Sequence, residues 1–295
     1  MKNVRDRLIH LHHCRGVSWK GIVALLKYDP SLDSIYSFSH KTVESLLTLS
    51  KSTAQIFLKD LHSIEIQSML KQYNEQNIHL ITIFDQDYPD QLKQIFDPPW
   101  VLYAKGDLAL LHEKKQLSVV GTRLPTAYGY YCMEKLIIPL IEKQWCIISG
   151  MAEGIDTKAH QLAINNGGRT IAIIGSGFNY IYPKSNLKLV DMIIQEHLIL
   201  SEYPPNTKPQ RWHFPMRNRI ISGMSKGTIV VEAKDRSGSL ITADQALQQG
   251  REVFAVPGSI LSNKSTGTNK LIQQGAKLVL SHIDILEELE EEYYV

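Results

Sequence analysis

From residue 117 onward, apolar runs of three to five residues alternate with stretches of helical spacing, and that alternation restricts the chain to one class of fold. The runs are 117–120, 146–149, 170–174, 198–200, 228–231, 253–256 and 277–280, and the helical stretches between them include 126–142, 156–166, 240–249 and 269–274. A strand that is apolar on both faces must be covered on both faces, and an intervening helix supplies the crossover that parallel pairing requires. The expectation is an α/β fold with a doubly wound, mostly parallel sheet. Shorter strands are expected earlier, at 80–83 and 100–103.

Residues 1–75 read differently. Apolar positions recur at helical spacing in Ile22-Val23-Leu25-Leu26, Val43-Leu46-Leu47 and Ile56-Leu58-Leu61, with breaks at 14–17, 28–30 and 50–52. This predicts a small all-helical N-terminal domain of four or five helices over 1–75, followed by the α/β domain over 76–295.

Composition sets limits. The chain has 295 residues, 43% hydrophobic and 21% charged, and no apolar run reaches the roughly 18 residues of a membrane span. Residues 1–7 alternate charges and do not read as a signal peptide. Cys14, Cys132 and Cys146 form no CxxC pair, which suits free thiols in a reducing cytoplasm. The net charge is +2, but Asp284, Glu287, Glu288, Glu290, Glu291 and Glu292 crowd the C-terminal tail without a base, so the rest of the chain is more basic than that figure.

The chemistry concentrates in the turns after the strands. These read Gly121-Thr122-Arg123, Ser149-Gly150, and Gly175-Ser176-Gly177-Phe178, the last leading to Lys184 and Lys188. A further cluster, Arg211, Arg217, Asn218 and Arg219, precedes the strand at 228–231, which opens into Ser237-Gly238-Ser239. In a doubly wound sheet such turns gather at the carboxyl edge of the strands, where helix N-termini and free N–H groups face the ligand. Guanidinium forks, amides and glycine turns suit a polyphosphate backbone. Trp212, Phe214 and Phe178 lie beside basic residues, as in surfaces that stack single-stranded bases, although core packing explains each equally well.

Other chemistries fit less well. The G-x-G-x-x-G fingerprint fails after the first strand, and after the third Tyr180 stands in place of the last glycine. Neither a P-loop nor a G-x-S-x-G elbow is present. Glu153 and Asp156 are possible acid–base groups, but Asp156 at a helix start equally serves the helix dipole. His10, His12, His13 and Cys14 point to different faces of one helix and make a poor metal site.

Seven stretches, in order, resemble the DNA-processing protein DprA (Smf) family over residues 78–283. They are Val-Gly-Thr-Arg at 120–123, Ser-Gly-Met-Ala-Glu-Gly-Ile-Asp-Thr-Lys-Ala-His at 149–160, Gly-Gly-Arg-Thr-Ile-Ala-Ile-Ile-Gly-Ser-Gly at 167–177, Ser-Glu-Tyr-Pro-Pro at 201–205, Phe-Pro-Met-Arg-Asn-Arg at 214–219, Ser-Gly-Ser-Leu-Ile-Thr at 237–242 and Gly-Thr-Asn-Lys-Leu-Ile-Gln-Gln-Gly-Ala at 267–276. The resemblance implies an extended Rossmann-like domain behind a helical, SAM-like N-terminal domain. It implies a cytoplasmic, non-enzymatic protein that binds single-stranded DNA during natural transformation (competence), protects it and helps load the RecA recombinase for DNA recombination. No cofactor or metal is implied. Arg123, Lys184 and Arg211 would line the DNA groove, with Lys188, Arg217 and Arg219 as weaker candidates and 175–178 as the adjoining turn. A homodimer through the C-terminal part of the Rossmann domain is implied; the apolar pair Leu271-Ile272 and Leu278 on a strand late in the sheet are the expected contact, unless the acidic C-terminal helix covers that edge. Some members carry a C-terminal winged helix; this chain is expected to have none.

The rival is a Rossmann-type nucleotide hydrolase, a nucleoside-monophosphate phosphoribohydrolase. That family carries P-G-G-x-G-T-x-x-E, and residues 224–232 keep the Gly-Thr and end on Glu232 without the paired glycines.

Overall fold

The computed structural model describes residues 3–290. It divides into two compact units, Met1–Tyr88 with Asp97–Tyr103 and Pro89–Phe96 with Ala104–Val295. Met1, Lys2, Glu291 and Glu292, used in the charge reading above, lie outside the described residues.

The first unit holds five helices, α1 (Val4–His13), α2 (Trp19–Tyr28), α3 (His40–Leu47), α4 (Lys51–Ser63) and α5 (Ile66–Glu75). Their starts are written in the sequence. Asn3, Ser18, Ser39 and Ser50 each accept a hydrogen bond from a first-turn N–H of the helix that follows. Leu8, Ile9, Leu11, Ile22, Leu25, Val43 and Phe57 are buried. The unit continues past the helices through β1 (His79–Thr82) and into β2 (Val101–Gly106), so the expected boundary at 75/76 falls inside it. Tyr103 on β2 accounts for the difference: its hydroxyl reaches His12 at 3.2 Å and His13 at 3.3 Å, and its ring packs on Tyr73.

The second unit begins with a single turn, α6 (Asp90–Lys93), and continues in alternation. Its strands are β3 (Gln116–Val120), β4 (Cys146–Ser149), β5 (Thr170–Ile174), β6 (Leu198–Ser201), β7 (Gly227–Val230), β8 (Glu252–Ala255) and β9 (Lys277–Leu278). Its longer helices are α7 (Ala127–Glu142), α8 (Ile155–Asn165), α9 (Leu187–Glu196), α10 (His213–Gly223), α11 (Gly238–Gln248), α12 (Thr266–Gln273) and α13 (His282–Leu289). These strands lie in the order β6-β5-β4-β3-β7-β8-β9, every neighbouring pair parallel. The expected doubly wound, Rossmann-like sheet is therefore present. From β3 the chain winds one way through β4, β5 and β6, then returns to the other side of β3 as β7. The switch point lies between β3 and β7, where a crevice opens at the strands' carboxyl ends.

Burial explains the apolar runs. Leu117, Val119, Ile147, Ile229 and Phe254 form one core with Met133, Leu136 and Ile137 of α7, Ile155 and Ala159 of α8, and Ile285 and Leu286 of α13. The period of two turns Ser118 and Thr228 the other way, where they are fully buried and their hydroxyls meet at 2.7 Å. That pairing removes the cost of two unsatisfied polar groups in the sheet.

Three histidines, His10 and His160 buried and His12 half-buried, tie stability to pH. Burial lowers His160 of α8 to about 4, His10 to about 4 and His12 to about 3, each from an ordinary value of 6.5. The unfolded chain binds the extra protons, so the stability from these neutral rings is complete above pH 6.5 and lost as pH falls towards 4. Asp156, raised to about 6 by burial, works in the opposite sense, its contribution fading as pH rises through 6. Three groups outweigh one. The urea midpoint should fall steadily between pH 7 and pH 4.5, and an unchanged midpoint would contradict the neutral assignment of the rings.

Candidate functional site

The first turn of the site is held from two sides. The Thr122 N–H donates to the Glu232 carbonyl at 2.7 Å, and the Thr122 carbonyl accepts from the Ile155 N–H at 3.2 Å. The end of β3 is thus tied to the end of β7 and the start of α8. Gly154 makes this possible: its φ is +79°, and a Cβ there would lie 2.5 Å from the Thr122 carbonyl oxygen. Arg123 projects from this pinned backbone, is exposed, and makes no ion pair among the described residues.

Glu232 is 2% exposed and spends its carboxylate locally. One oxygen accepts the Thr126 N–H at 2.9 Å and the other the Thr126 hydroxyl at 2.7 Å. Thr126 caps α7, so the carboxylate sits at that helix's positive end. The acid that matches the hydrolase pattern is therefore engaged in a helix cap, at the wall of a cavity of about 450 Å³ that Tyr128 and Pro257 also line.

The two remaining glycine turns are equally committed. Ser149 is fully buried, and its hydroxyl donates to the Val119 carbonyl at 2.6 Å. The Gly150 carbonyl accepts from His160 Nε2 at 2.6 Å. The Ser176 hydroxyl donates to the Tyr180 carbonyl at 2.7 Å, and the Gly177 N–H to the Thr207 carbonyl at 2.9 Å. Ser149, Gly150, Ser176 and Gly177 were expected at a phosphate-binding surface, but their groups shape the edge from within.

The arginines divide into two kinds. Arg217, 6% exposed, donates to the Ile173 carbonyl at the end of β5 and, through Nε, to Asn218 Oδ1 at 3.2 Å. Its guanidinium shares the Gly150 turn with Asp156; a Cβ at 150 would stand 2.6 Å from Arg217 Nη2 and 2.5 Å from Asp156 Oδ2. Burial lowers the Arg217 pKa and raises that of Asp156 to about 6, against the pull of Arg217 and Arg123. Arg219 is 3% exposed and pairs with Glu202 at 2.6 Å. Both were expected at the DNA groove. The structure instead seats them as internal braces, because α10 is buried on both of the sides that carry them.

Arg123, Lys184, Lys188, Arg211 and Trp212 are exposed. Arg123, Glu153, Gly175, Tyr182, Phe214 and Arg217 line one hollow at the strand ends, where the rings of Tyr182 and Phe214 lie 5.9 Å apart. Beside it, Gly121, Thr122, Arg123, Arg217 and Asn218 line a cleft of about 420 Å³ at the switch point. Lys184, Lys188, Arg211 and Phe178 line neither; Phe178 is half-buried beneath the Lys105 ammonium, 5.7 Å away. Sequence reasoning missed Tyr182, 50% exposed, and the cleft-lining Lys234 and Lys264. The Tyr-Pro step before Lys184 was a signal for the first; Lys264 carries none, since it lies in a loop with no motif.

Near the chain's end, Leu271 was expected at a dimer contact but is 3% exposed and belongs to the protein's own interior. Ile272 is half-buried, while Leu278 is 40% exposed on β9, the last strand of the sheet. The acidic helix α13 packs on α7.

Two glycines of the site separate packing from conformation. Gly150→Ala drives a methyl between Arg217 and Asp156 and should cost about 1–3 kcal/mol. Gly238→Ala meets nothing within 4 Å and should change stability by less than about 1 kcal/mol. Chemical denaturation of both variants checks the pair, and equal losses would contradict the placement of Arg217.

Comparison with known proteins agrees with this fold. Residues 79–290 match the family DNA recombination-mediator protein A. The DNA processing protein DprA of Bacillus subtilis (strain 168) is 54% identical over 227 residues, which is 77% of this chain and 76% of that protein. The X-ray structure of DNA processing protein A from Streptococcus pneumoniae superposes with a TM-score of 0.85 at 41% identity, covering 97% of this chain and 98% of that one. A structure of DNA processing protein A from Helicobacter pylori, described for its single-stranded DNA binding mode, gives a TM-score of 0.66 at 30% identity over 74% of this chain and 97% of that one. With its parallel sheet, its turns and the greater part of its length matched, this chain belongs to the DNA recombination-mediator protein A family.

Proposed function

We propose that the chain binds single-stranded DNA along the carboxyl edge of its parallel sheet, without catalysing a reaction on it. One observation carries this reading. Exposed cations and aromatics (Arg123, Tyr182, Lys184, Arg211, Trp212) stand on that edge, while Ser149, Ser176 and Glu232 are committed to hydrogen bonds of their own. Cations hold phosphates and aromatic faces stack bases of any identity, which is what sequence-blind strand binding needs. The Helicobacter pylori relative, described for a single-stranded DNA binding mode, supports the same choice of ligand.

The resemblance extends the reading to cellular roles: protection of incoming DNA in natural transformation, delivery of RecA onto it, and work in the cytoplasm as a homodimer. The dimer has physical support at β9. Leu278 on β9 and Leu280 just beyond it are 40% and 66% exposed, and Tyr131, which lines a hollow with Leu280, is 64% exposed. An apolar sheet end of this kind favours pairing with a copy of itself. Among the described residues, no helix is long and apolar enough to cross a membrane.

The test is a titration of labelled oligonucleotide at several salt concentrations, beside an assay for base release from nucleotides. With three to five phosphates neutralised, log K should fall with log salt at a slope of roughly −2 to −3.5. Arg123→Ala should cost about 1.5–3 kcal/mol of binding, whereas Lys51→Ala, on the helical unit, should cost nothing measurable. A flat salt response with an indifferent Arg123 would overturn the reading, and release of free base would favour the hydrolase.

A further inference from the structure

The cleft at the switch point holds more anion-binding equipment than a passing strand uses. Helix α11, eleven residues long, begins there at Gly238, and the side chain of its N-cap residue, Ser237, makes no capping bond. The N–H groups of Gly238 and Ser239, which line the cleft, therefore lack the usual cap, while that of Leu240 donates to the Ser237 carbonyl at 3.1 Å. Two hydroxyls beside them also lack partners. Ser237 Oγ is buried with no hydrogen-bond partner. Ser239 is 9% exposed, lines the cleft, and its hydroxyl has no partner among the described residues. Cations from three separate segments, Arg123, Lys234 and Lys264, line the same cleft, with Lys264 fixed by its bond to the Leu124 carbonyl. The one acid there, Asp156, is buried and opposed by Arg217.

An internal phosphodiester carries one charge and two free oxygens. A phosphomonoester carries close to two charges and three strong acceptor oxygens, a better match to a helix N-terminus with spare hydroxyls and three cations. A cleft of about 420 Å³ also leaves room beyond the phosphate, and Phe214 and Ile241 provide an apolar wall for a sugar or base.

We propose that this cleft seats a phosphomonoester, the group found at a phosphorylated strand end and on a free nucleotide. The proposal rests on the single-strand reading above and adds to it a preference for phosphorylated termini.

The test needs no altered protein at first. One short oligodeoxynucleotide is prepared with a 5′-phosphate, with a 3′-phosphate, or with hydroxyls at both ends, and each form is titrated by fluorescence anisotropy. One terminal phosphate should tighten binding about tenfold. Thymidine 5′-monophosphate that removes this increment assigns the seat to any phosphomonoester, and an increment that persists assigns it to strand ends. In the double variant Lys234→Ala/Ser239→Ala the ratio of phosphorylated to unphosphorylated affinity should fall towards one, with circular dichroism unchanged. Equal binding by all three forms, or a ratio that survives in the variant, overturns the seat while leaving single-strand binding intact. Failure of every form to bind overturns both.

Discussion

Glu232 holds the two halves of the parallel sheet in register at the place where they part. Its carbonyl receives the Thr122 N–H from the end of β3, and its carboxylate receives the N–H and hydroxyl of Thr126 at the start of α7. A buried carboxylate is costly unless every oxygen is engaged, and here N–H and O–H donors at a helix N-terminus engage both. Gly129, one turn into α7, leaves the space: a Cβ there would come within 2.8 Å of the Glu232 carboxyl carbon. The turn that carries Arg123 is held by the Glu232 backbone carbonyl, and the start of α7 by its side chain. The same commitment leaves both carboxylate oxygens of Glu232 engaged in the cap of α7.

Charge at the site works in two layers. Below, Arg217 and Arg219 are buried and brace the edge, one on the Ile173 carbonyl beside Asp156, the other on Glu202. Above, Arg123, Lys184, Lys188 and Arg211 stand in solvent. Removing a lower cation strands an acid in the interior and acts on stability. Removing an upper one acts on binding. Loss of binding in an Arg217 or Arg219 variant is thus a poor guide to contact with a ligand unless folding is measured beside it.

Much of this was readable in the sequence. β4 and β5 fall on the apolar runs 146–149 and 170–174, and the four helices expected from spacing are present with ends shifted by at most three residues. Helices α9 and α10 were not anticipated, for physical reasons. Neither starts on a capping side chain, and α9 grows directly out of a 3-10 turn, Lys184–Asn186. On α10 the buried set, His213, Arg217, Arg219, Ile220, Ile221, Ser222 and Gly223, mixes polar with apolar residues and so blurs the helical period. The fate of its arginines was hidden for the same reason, since their partners Asp156, Ile173 and Glu202 are distant in the chain. A run of basic residues declares charge but not which charges will find an acid inside. Leu271 shows the converse: an apolar residue read as surface lies in the interior once α12 packs on β8.

The central claim is that a strand lies along the carboxyl edge of the sheet, over Arg123 and the aromatics beside it. Photo-crosslinking with an oligonucleotide bearing 5-iodouracil at each position in turn, followed by peptide mapping, tests it most directly. Adducts should fall on Tyr182, Phe214 or Trp212, the aromatic side chains of that edge. Adducts confined to the helices of residues 3–75, or spread without preference over the surface, would contradict the account.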